Sequence, residues 1–226
     1  MLLNPSYGNA LENSSLFSVP ILKDLRRIGS LKDLIMVRDF VFSTVPLLLK
    51  DSSDLKIKME NISISVSDLY NLFTSKKAGG WCGLNTDFFQ TILYWYQVPA
   101  RPYNFGIRQY GITHTGVVVE YDGEEFFMDP YYAVHYKHRD GFLLTFKHLM
   151  TLIADRKFDH IVPVFSDVRK PVEQHDGTFA MMTPQEIQKR CMFESRTPSG
   201  RSYDDVMKEV FGDTNSLLLM QIRIPV

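Results

Sequence analysis

Apolar residues recur at helical spacing through the first half of the chain. From Leu31 to Leu49 they follow a three- and four-residue period, with Pro46 as the expected break or end of a helix. A second helix is predicted from Asp68 to Lys77, with Ser67 as its N-cap. A third is predicted over Leu84–Gln97, ending before Pro99. This half of the chain is therefore expected to be helical.

The pattern changes to β-structure in the middle of the chain. Gly111–Tyr121 contains the β-branched run Val117–Val119, and Glu124–Met128 follows after a short gap. The gap is the pair Asp122-Gly123, and Asp-Gly between two apolar runs is a strong signal for a hairpin turn. These segments predict two antiparallel strands joined by that turn.

The remaining segments are less regular. They suggest a short helix near Leu22–Ile28, helices at Leu143–Ile153, Pro184–Met192 and Tyr203–Val210, and a strand at Leu217–Ile224. The predicted elements are helices in the first half, strands in the middle and both types at the end. This order indicates an α+β fold. We expect one domain, residues 1–226, because no repeat, charge block or low-complexity tract marks a linker.

Composition and charge narrow the function classes. Hydrophobic residues make up 45% of the chain and charged residues 23%, as in ordinary globular proteins, and the net charge of -1 disfavours a nucleic-acid partner. Two cysteines are too few for a disulfide scaffold or a structural zinc site. The start lacks a basic and then apolar secretory leader, and no apolar run is long enough to span a bilayer. We expect a cytoplasmic protein with no cofactor and no membrane contact.

A glycine-rich turn brings Cys82 close to the start of the third predicted helix. Gly79 and Gly80 allow a sharp turn and a close approach to a substrate, and Trp81 follows them. Unpaired N–H groups and the helix dipole favour a thiolate at such a position. The N–H of Cys82 would then face the oxyanion of a tetrahedral intermediate. The alternative interpretation is a small, buried, unreactive cysteine.

His114 and Asp129 are the candidate partners of this thiol. His114 lies near the entry of the first predicted strand and Asp129 directly follows the second, so the turn between the strands places them nearly opposite each other. A carboxylate beside an imidazole holds its tautomer and stabilises the imidazolium. Cys82, His114 and Asp129 are therefore predicted to form a nucleophilic triad. An incidental His and Asp at one end of a hairpin is the alternative.

The other cysteine and histidines carry weaker signals. His135 and His138 flank Tyr136, but no cysteine or carboxylate lies at ligand spacing, so a surface loop is predicted and no metal site. Cys191 lies in a charged helical stretch and is interpreted as structural. Surface positions are expected for the remaining histidines, His148, His160 and His175.

Residues 67–135 resemble the transglutaminase-like superfamily. The resemblance consists of Gly80-Trp-Cys82, a helix of aromatic and aliphatic residues, Val98-Pro-Ala-Arg101, Thr113-His114 and Asp129-Pro130, in that order. It implies a papain-like core in which a cysteine opens a helix packed on an antiparallel sheet that carries His and Asp. By position it implies Cys82 as nucleophile, His114 as general base and Asp129 as orienting acid, with a structural role for Arg101.

The string Gly79-Gly-Trp-Cys82 is also similar to arylamine N-acetyltransferases, a related branch with the same triad. Those proteins usually carry Arg before the glycines and small residues after the Asp, whereas this chain has Ala78 and Asp129-Pro-Tyr-Tyr132. The transglutaminase-like core is therefore favoured, and the acetyltransferase branch stays open for the chemistry. No calcium-binding segment or extra β-sandwich domain is recognised, so regulated protein cross-linking is not expected.

Three alternative functions are consistent with the sequence. The first is cysteine-dependent acyl transfer or amide hydrolysis through an acyl-thioenzyme. The second is an amide-forming N-acyltransferase that uses an acyl-thioester donor in a biosynthetic pathway. The third is a catalytically inactive interaction domain. For the two enzymes we expect a peptide, amide or acyl-thioester substrate, including one presented on a carrier, with Trp81 and Gly80 as substrate-binding residues.

Overall fold

A computed structural model describes residues 19, 22–25, 27–49, 65–107, 112–194 and 197–211. The helices in these ranges are α1 (Leu31–Thr44), α2 (Val66–Thr74), α3 (Cys82–Trp95), α4 (Phe146–Ala154), α5 (Pro184–Glu194) and α6 (Tyr203–Phe211). The strands are β1 (Ala100–Ile107), β2 (Ile112–Tyr121), β3 (Glu124–Met128), β4 (Val134–His138), β5 (Ile161–Phe165), β6 (Lys170–Glu173) and β7 (Phe179–Met182). They confirm the predicted α+β class.

Capping side chains set the starts of the first two helices. Ser30 caps α1 by accepting a hydrogen bond from the N–H of Asp33. Helix α2 begins at Val66, so the prediction of Ser67 as its N-cap is wrong. Ser65 is the cap instead, because its hydroxyl accepts from the N–H of Asp68 (3.1 Å) and donates to the Asp68 carboxylate (2.7 Å).

Helix α3 begins two residues earlier than the sequence suggested. Cys82 is its first residue, and Trp81 occupies the cap position without a side-chain hydrogen bond. The helix ends at Trp95, shortly before Gln97, which has a positive φ of 57°. The left-handed backbone at Gln97 stops the helix before Pro99 does. Cys82 therefore lies at the helix N-terminus itself.

A three-stranded antiparallel sheet in the order β1-β2-β3 lies beside α3. The β2–β3 hairpin turns at Asp122 and Gly123, both with positive φ, as a two-residue hairpin turn requires. Strand β3 has the predicted bounds, and β2 is described from Ile112 onward. Strand β1 was not predicted, because Pro102 and Gly106 interrupt its apolar pattern. It pairs along the length of β2 and places Phe105 beside His114.

The sheet separates two apolar clusters. The cluster on the α3 side includes Val117, Val119 and Met128 together with buried residues of α1, α2 and α3. The cluster on the other side includes Phe105, Val118 and Phe127 together with Tyr131, Tyr132 and Tyr136. Cys82 packs against the second cluster although its helix packs mainly with the first. The N-terminus of α3 thus reaches the edge where the two clusters meet.

The second half of the chain adds two hairpins that the sequence did not reveal. Strand β4 pairs with β5, and β6 pairs with β7. The prediction of a surface loop at His135 and His138 is wrong, since both lie in β4 and His135 is buried. The buried guanidinium of Arg38, in α1, lies 2.9 Å from Nδ1 of His135. Such a partner, 97 residues away, leaves no local trace in the sequence.

The arrangement of Arg38 and His135 fixes the charge on that histidine. Burial, together with the nearby charges of Arg38 and Lys137, lowers the pKa of His135 to about 3. The imidazole is therefore neutral near pH 7, and its Nδ1 accepts a hydrogen bond from Arg38. Arg38 also donates to Asp39 and Ser166. This buried network joins α1 to the strands of the second half.

The other predicted helices are present in the structure with slightly different bounds. The exception is the short helix predicted near the start of the chain. Helix α4 begins at Phe146 with Thr145 as its cap, because Leu143 is engaged in a bridge to Lys137. Helices α5 and α6 have the predicted starts and extend slightly further. The short helix expected near Leu22–Ile28 is a turn at residues 22–24 in the part described. The strand predicted at Leu217–Ile224 lies outside the described residues.

Two further properties concern the described ranges as a whole. None of their helices combines the length and the apolar character that crossing a bilayer requires. Nor do these ranges contain a group of three or more His, Cys, Asp or Glu side chains arranged to hold a metal ion.

Candidate active site

The turn before α3 is held by the segment that follows α1. A Cβ on Gly79 would lie 2.3 Å from the Pro46 carbonyl oxygen, so only glycine fits there. The N–H of Gly80 donates to the same oxygen at 2.9 Å. This close backbone contact fixes the turn and delivers Cys82 as the first residue of the helix, where its side chain is half-buried.

His114 and Asp129 are in direct contact. The Nε2 atom of His114 lies 2.7 Å from Oδ2 of Asp129, and both side chains are buried. The register pairs Val117 with Met128, so Asp129 lies just beyond the last paired residue of β3 and diagonal to His114 on β2. The hairpin thus brings the two side chains together as its turn predicts.

Two backbone amides hold the other oxygen of Asp129. The N–H groups of Tyr131 and Tyr132 donate to Oδ1 at 2.9 and 3.0 Å. These two hydrogen bonds fix the orientation of the carboxylate. Asp129 can therefore orient the imidazole of His114 and stabilise its positive charge.

Aromatic rings restrict the orientation of His114. The ring centroids of Phe105 and Tyr132 lie 5.2 and 5.0 Å from that of the imidazole, and Tyr131 lies at 5.8 Å. These contacts come from β1 and from the loop after β3. With Asp129 on Nε2, they leave Nδ1 as the ring nitrogen that can meet a nucleophile.

Cys82 is the partner on that side. Hydrogen bonding with the imidazole of His114 and with the backbone N–H of Thr115 is among the causes that lower the pKa of its thiol. Since Nε2 is occupied by Asp129, the hydrogen bond to Cys82 uses Nδ1. The structure therefore joins all three predicted triad residues in the order thiol, imidazole, carboxylate.

The electrostatics of the site favour a thiolate–imidazolium pair. Burial alone would raise the pKa of Cys82, but the charge of His114 and the hydrogen bonds from His114 and Thr115 outweigh it, so the thiol pKa is lowered. Burial alone would lower the pKa of His114, but the charges of Asp129 and Cys82 raise it to about 10. From the lowered thiol pKa up to about pH 10, a deprotonated thiol and a protonated imidazole are therefore favoured together.

This pair predicts a wide pH range of thiol reactivity. The rate of alkylation of Cys82 by iodoacetamide should reach its plateau below the ordinary thiol pKa, because the thiolate is already formed there. A change is expected again near pH 10, where His114 loses its proton. Peptide mapping after timed alkylation at each pH measures the profile. A rate that keeps rising with pH through the ordinary thiol pKa would contradict the ion pair.

The two predicted substrate-binding residues lie at the turn before Cys82. Trp81 is 42% exposed, and its ring stacks on Tyr131 with a centroid distance of 6.5 Å. Gly80 is buried, and its N–H is taken by Pro46. An exposed indole beside the thiol can contact a substrate, whereas the contacts described for Gly80 serve the backbone turn.

The remaining candidates have structural contacts. Arg101 forms an exposed pair with Glu125 on the sheet, at 3.0 Å, as a structural role implies. Cys191 is buried, and its sulfur lies 3.6 Å from the hydroxyl of Tyr131. Phe88 and Phe89 of α3 are core residues. His148 and His175 are exposed, and His160 is half-buried with its Nδ1 3.0 Å from Nε2 of His138.

Two residues beside the triad had no signal in the sequence. Lys170 is completely buried, and its Nζ donates to Oδ1 of Asn85 at 2.7 Å. Asn85 is also buried, one helical turn after Cys82. A lysine in the short strand β6 looks like an ordinary surface residue, so only the fold shows that it reaches α3.

Comparisons of this chain with family models, with curated proteins and with solved structures found no significant match.

Proposed function

We propose that this protein is a thiol-dependent acyl-transfer enzyme or amide hydrolase of the transglutaminase-like kind, with Cys82 as nucleophile. The observation that carries the proposal is the placement of His114 beside both Asp129, which its Nε2 contacts, and Cys82, for which Nδ1 remains. A helix that opens with cysteine beside a sheet that carries His and Asp is also what a papain-like core implies.

The first half of the reaction forms an acyl-thioenzyme. The Cys82 thiolate attacks the carbonyl carbon of an amide or thioester, and a bond forms between sulfur and carbon. The Cys82 N–H lies at the first helical position, where it has no partner within the helix, and can donate to the oxyanion. His114 then gives its Nδ1 proton to the leaving amine or thiol as the carbonyl reforms.

The second half returns the enzyme to its starting state. An acceptor, either water or an amine, gives a proton to His114 and attacks the thioester carbonyl. The bond between Cys82 and the acyl carbon breaks, and the thiolate leaves beside the regenerated imidazolium. Asp129 keeps its contact with Nε2 throughout and stabilises the charge on His114. Hydrolysis and transfer thus use the same residues and differ in the acceptor.

The position of Trp81 favours a second candidate function that uses the same acyl-thioenzyme chemistry. Its exposed ring lies next to a half-buried thiol and stacks on Tyr131, which offers a flat apolar surface for a small acyl group. Such a surface suits an amide-forming N-acyltransferase that takes its acyl group from a thioester. The acceptor decides between this candidate and a hydrolase.

Formation of the acyl-enzyme at Cys82 tests the proposed function. Wild-type protein mixed briefly with acetyl thioester or p-nitrophenyl acetate should gain one acetyl group, seen by intact-mass spectrometry and mapped to the peptide that contains Cys82. Cys82→Ala should gain none at this peptide, and Cys191→Ala should label like wild type because Cys191 is buried outside the triad. Full labelling of Cys82→Ala would exclude Cys82 as the nucleophile.

The fate of the acyl group then separates the candidates. An N-acyltransferase should pass it to an added aromatic or aliphatic amine faster than to water, whereas a hydrolase should lose it at a rate that the amine does not change. A wild-type Cys82 that stays unlabelled, in a folded protein that iodoacetamide also fails to alkylate, would favour the inactive interaction domain.

A further inference from the structure

Lys170 is the most unusual charged residue near the triad. Its side chain is fully buried, and Nζ lies 4.8 Å from the ring centroids of both Phe42 and Tyr131. Its hydrogen-bond acceptor is Oδ1 of Asn85 at 2.7 Å. Burying an ammonium group whose hydrogen-bond acceptor is neutral costs free energy. A lysine at this position is therefore expected to have a role that an apolar residue could not fill.

Asn85 connects Lys170 to the turn that carries the nucleophile. While its Oδ1 accepts from Lys170, its Nδ2 donates to the carbonyl oxygens of Trp81 at 2.8 Å and of Gly80 at 3.4 Å. The Trp81 carbonyl belongs to the peptide whose nitrogen is the N–H of Cys82. The amide of Asn85 therefore fixes the plane of the peptide proposed to donate to the oxyanion.

The backbone of the strand that contains Lys170 supports the same turn from behind. The carbonyl of Pro171 accepts from the N–H of Leu47 at 2.9 Å, and the neighbouring carbonyl of Pro46 accepts from Gly80. Strand β6, the segment after α1 and the glycine turn therefore form one continuous hydrogen-bonded layer. Through Asn85, Lys170 adds a side-chain link to the same turn.

We propose that Lys170 is a positioning residue for the nucleophile: through Asn85 it holds the Gly80-Trp81 turn, and its ammonium balances the negative charge of the triad. This inference rests on the proposed function. A thiolate at Cys82, an imidazolium at His114 and a carboxylate at Asp129 leave one negative charge in a buried site. One buried ammonium compensates it.

The ionisation of Lys170 follows its surroundings. Burial lowers its pKa to about 7, while the charges of Asp129, Cys191 and Cys82 oppose that fall. The other groups packed against Nζ, namely Asn85 and the rings of Phe42 and Tyr131, are neutral. Lys170 is therefore charged on the acid side of about pH 7, where its ammonium can balance the negative charge of the site, and it loses that charge above about pH 7.

Two substitutions of Lys170 separate the effect of its hydrogen bond to Asn85 from the effect of its positive charge. Lys170→Met removes both the hydrogen bond to Asn85 and the positive charge, whereas Lys170→Gln keeps a donor for Asn85 and removes the charge. Alkylation of Cys82 by iodoacetamide, followed by peptide mapping from about pH 5 to about pH 11, gives the apparent thiol pKa and the plateau rate for each variant. Acetyl transfer from p-nitrophenyl acetate gives the acylation rate.

Both variants should raise the apparent thiol pKa of Cys82 by about one unit, because a nearby positive charge is lost. Lys170→Met should in addition lower the acylation rate at saturating thiolate by about tenfold, since the oxyanion donor is no longer held. Lys170→Gln should keep most of that rate. The matched control is Lys157→Met, because Lys157 is 54% exposed and paired with Asp155, and its profile should equal that of wild type.

The outcomes distinguish this inference from the proposed function. If the wild-type thiol titrates like a free cysteine and forms no acyl-enzyme, both proposals fail. If the wild-type thiol pKa is lowered but a folded Lys170→Gln or Lys170→Met shows the wild-type profile and acylation rate, only the role of Lys170 is wrong. Should Lys170→Met fail to fold, as circular dichroism would show, Lys170→Gln decides the question by its thiol pKa.

Discussion

Replacing His114 with Gln should lower the rate of Cys82 acylation by about 10²- to 10⁴-fold, the usual range for loss of an acid–base group. The substitution removes the charge that keeps the thiol ionised and the proton that the leaving group needs. Glutamine is similar in size to histidine and can still donate to Asp129, so the packing among Phe105 and Tyr132 should be largely kept.

Release of thiol from the acetyl thioester measures this effect, because this leaving group takes up the proton, and mass spectrometry maps the label to Cys82. His148→Gln is the matched control, because His148 is an exposed residue of α4 and should leave the rate unchanged. An acylation rate of His114→Gln close to that of wild type, in a folded protein, would show that the imidazole does not activate the thiol.

The contact between His114 and Asp129 could be predicted because it depends on local information. The Asp122-Gly123 turn sets the register of β2 and β3, and the register alone brings the two side chains to one end of the hairpin. The position of Cys82 near the start of α3 was predictable for a similar reason, since Gly79 and Gly80 mark the turn before it. Each of these inferences spans only a few residues on either side of a turn.

The strands that surround this core could not be found in the same way. Strand β1 contains a proline and a glycine, yet its pairing along β2 overrides the weak propensity of that segment. Strand β4 contains histidine and lysine at positions that a sequence pattern assigns to solvent. His135 is nevertheless buried, because Arg38 supplies a hydrogen bond from a distant helix.

The side chains that support the site could not be predicted from the sequence either. Lys170 and Asn85 are 85 residues apart in sequence, so no local pattern could bring them together. The triad is provided by α3 and the β2–β3 hairpin, whereas the turn before Cys82 is held by the segment after α1 and by β6. The resemblance covers the residues proposed to carry the chemistry, whereas Pro46 and Lys170, which support the turn before the proposed nucleophile, lie outside it.

Arg38 is expected to contribute most to stability among the charged residues described. Its side chain is fully buried and donates to Asp39, Ser166 and Nδ1 of His135, which join α1 to β4 and to the residue after β5. Replacing it with Met should lower the free energy of unfolding by about 3 kcal/mol, because three buried or half-buried acceptors lose their donor while the volume is retained. Methionine can still fill the apolar part of the space.

Equilibrium unfolding in urea, followed by circular dichroism, measures this loss as a fall in the midpoint at constant slope. Arg101→Met is the matched control, because Arg101 forms an exposed pair with Glu125 and such pairs contribute about 0–1 kcal/mol. The charge of Asp129 also acts on Arg38. A folded Arg38→Met protein with the same midpoint as Arg101→Met would show that the network does not stabilise the junction between α1 and the strands of the second half.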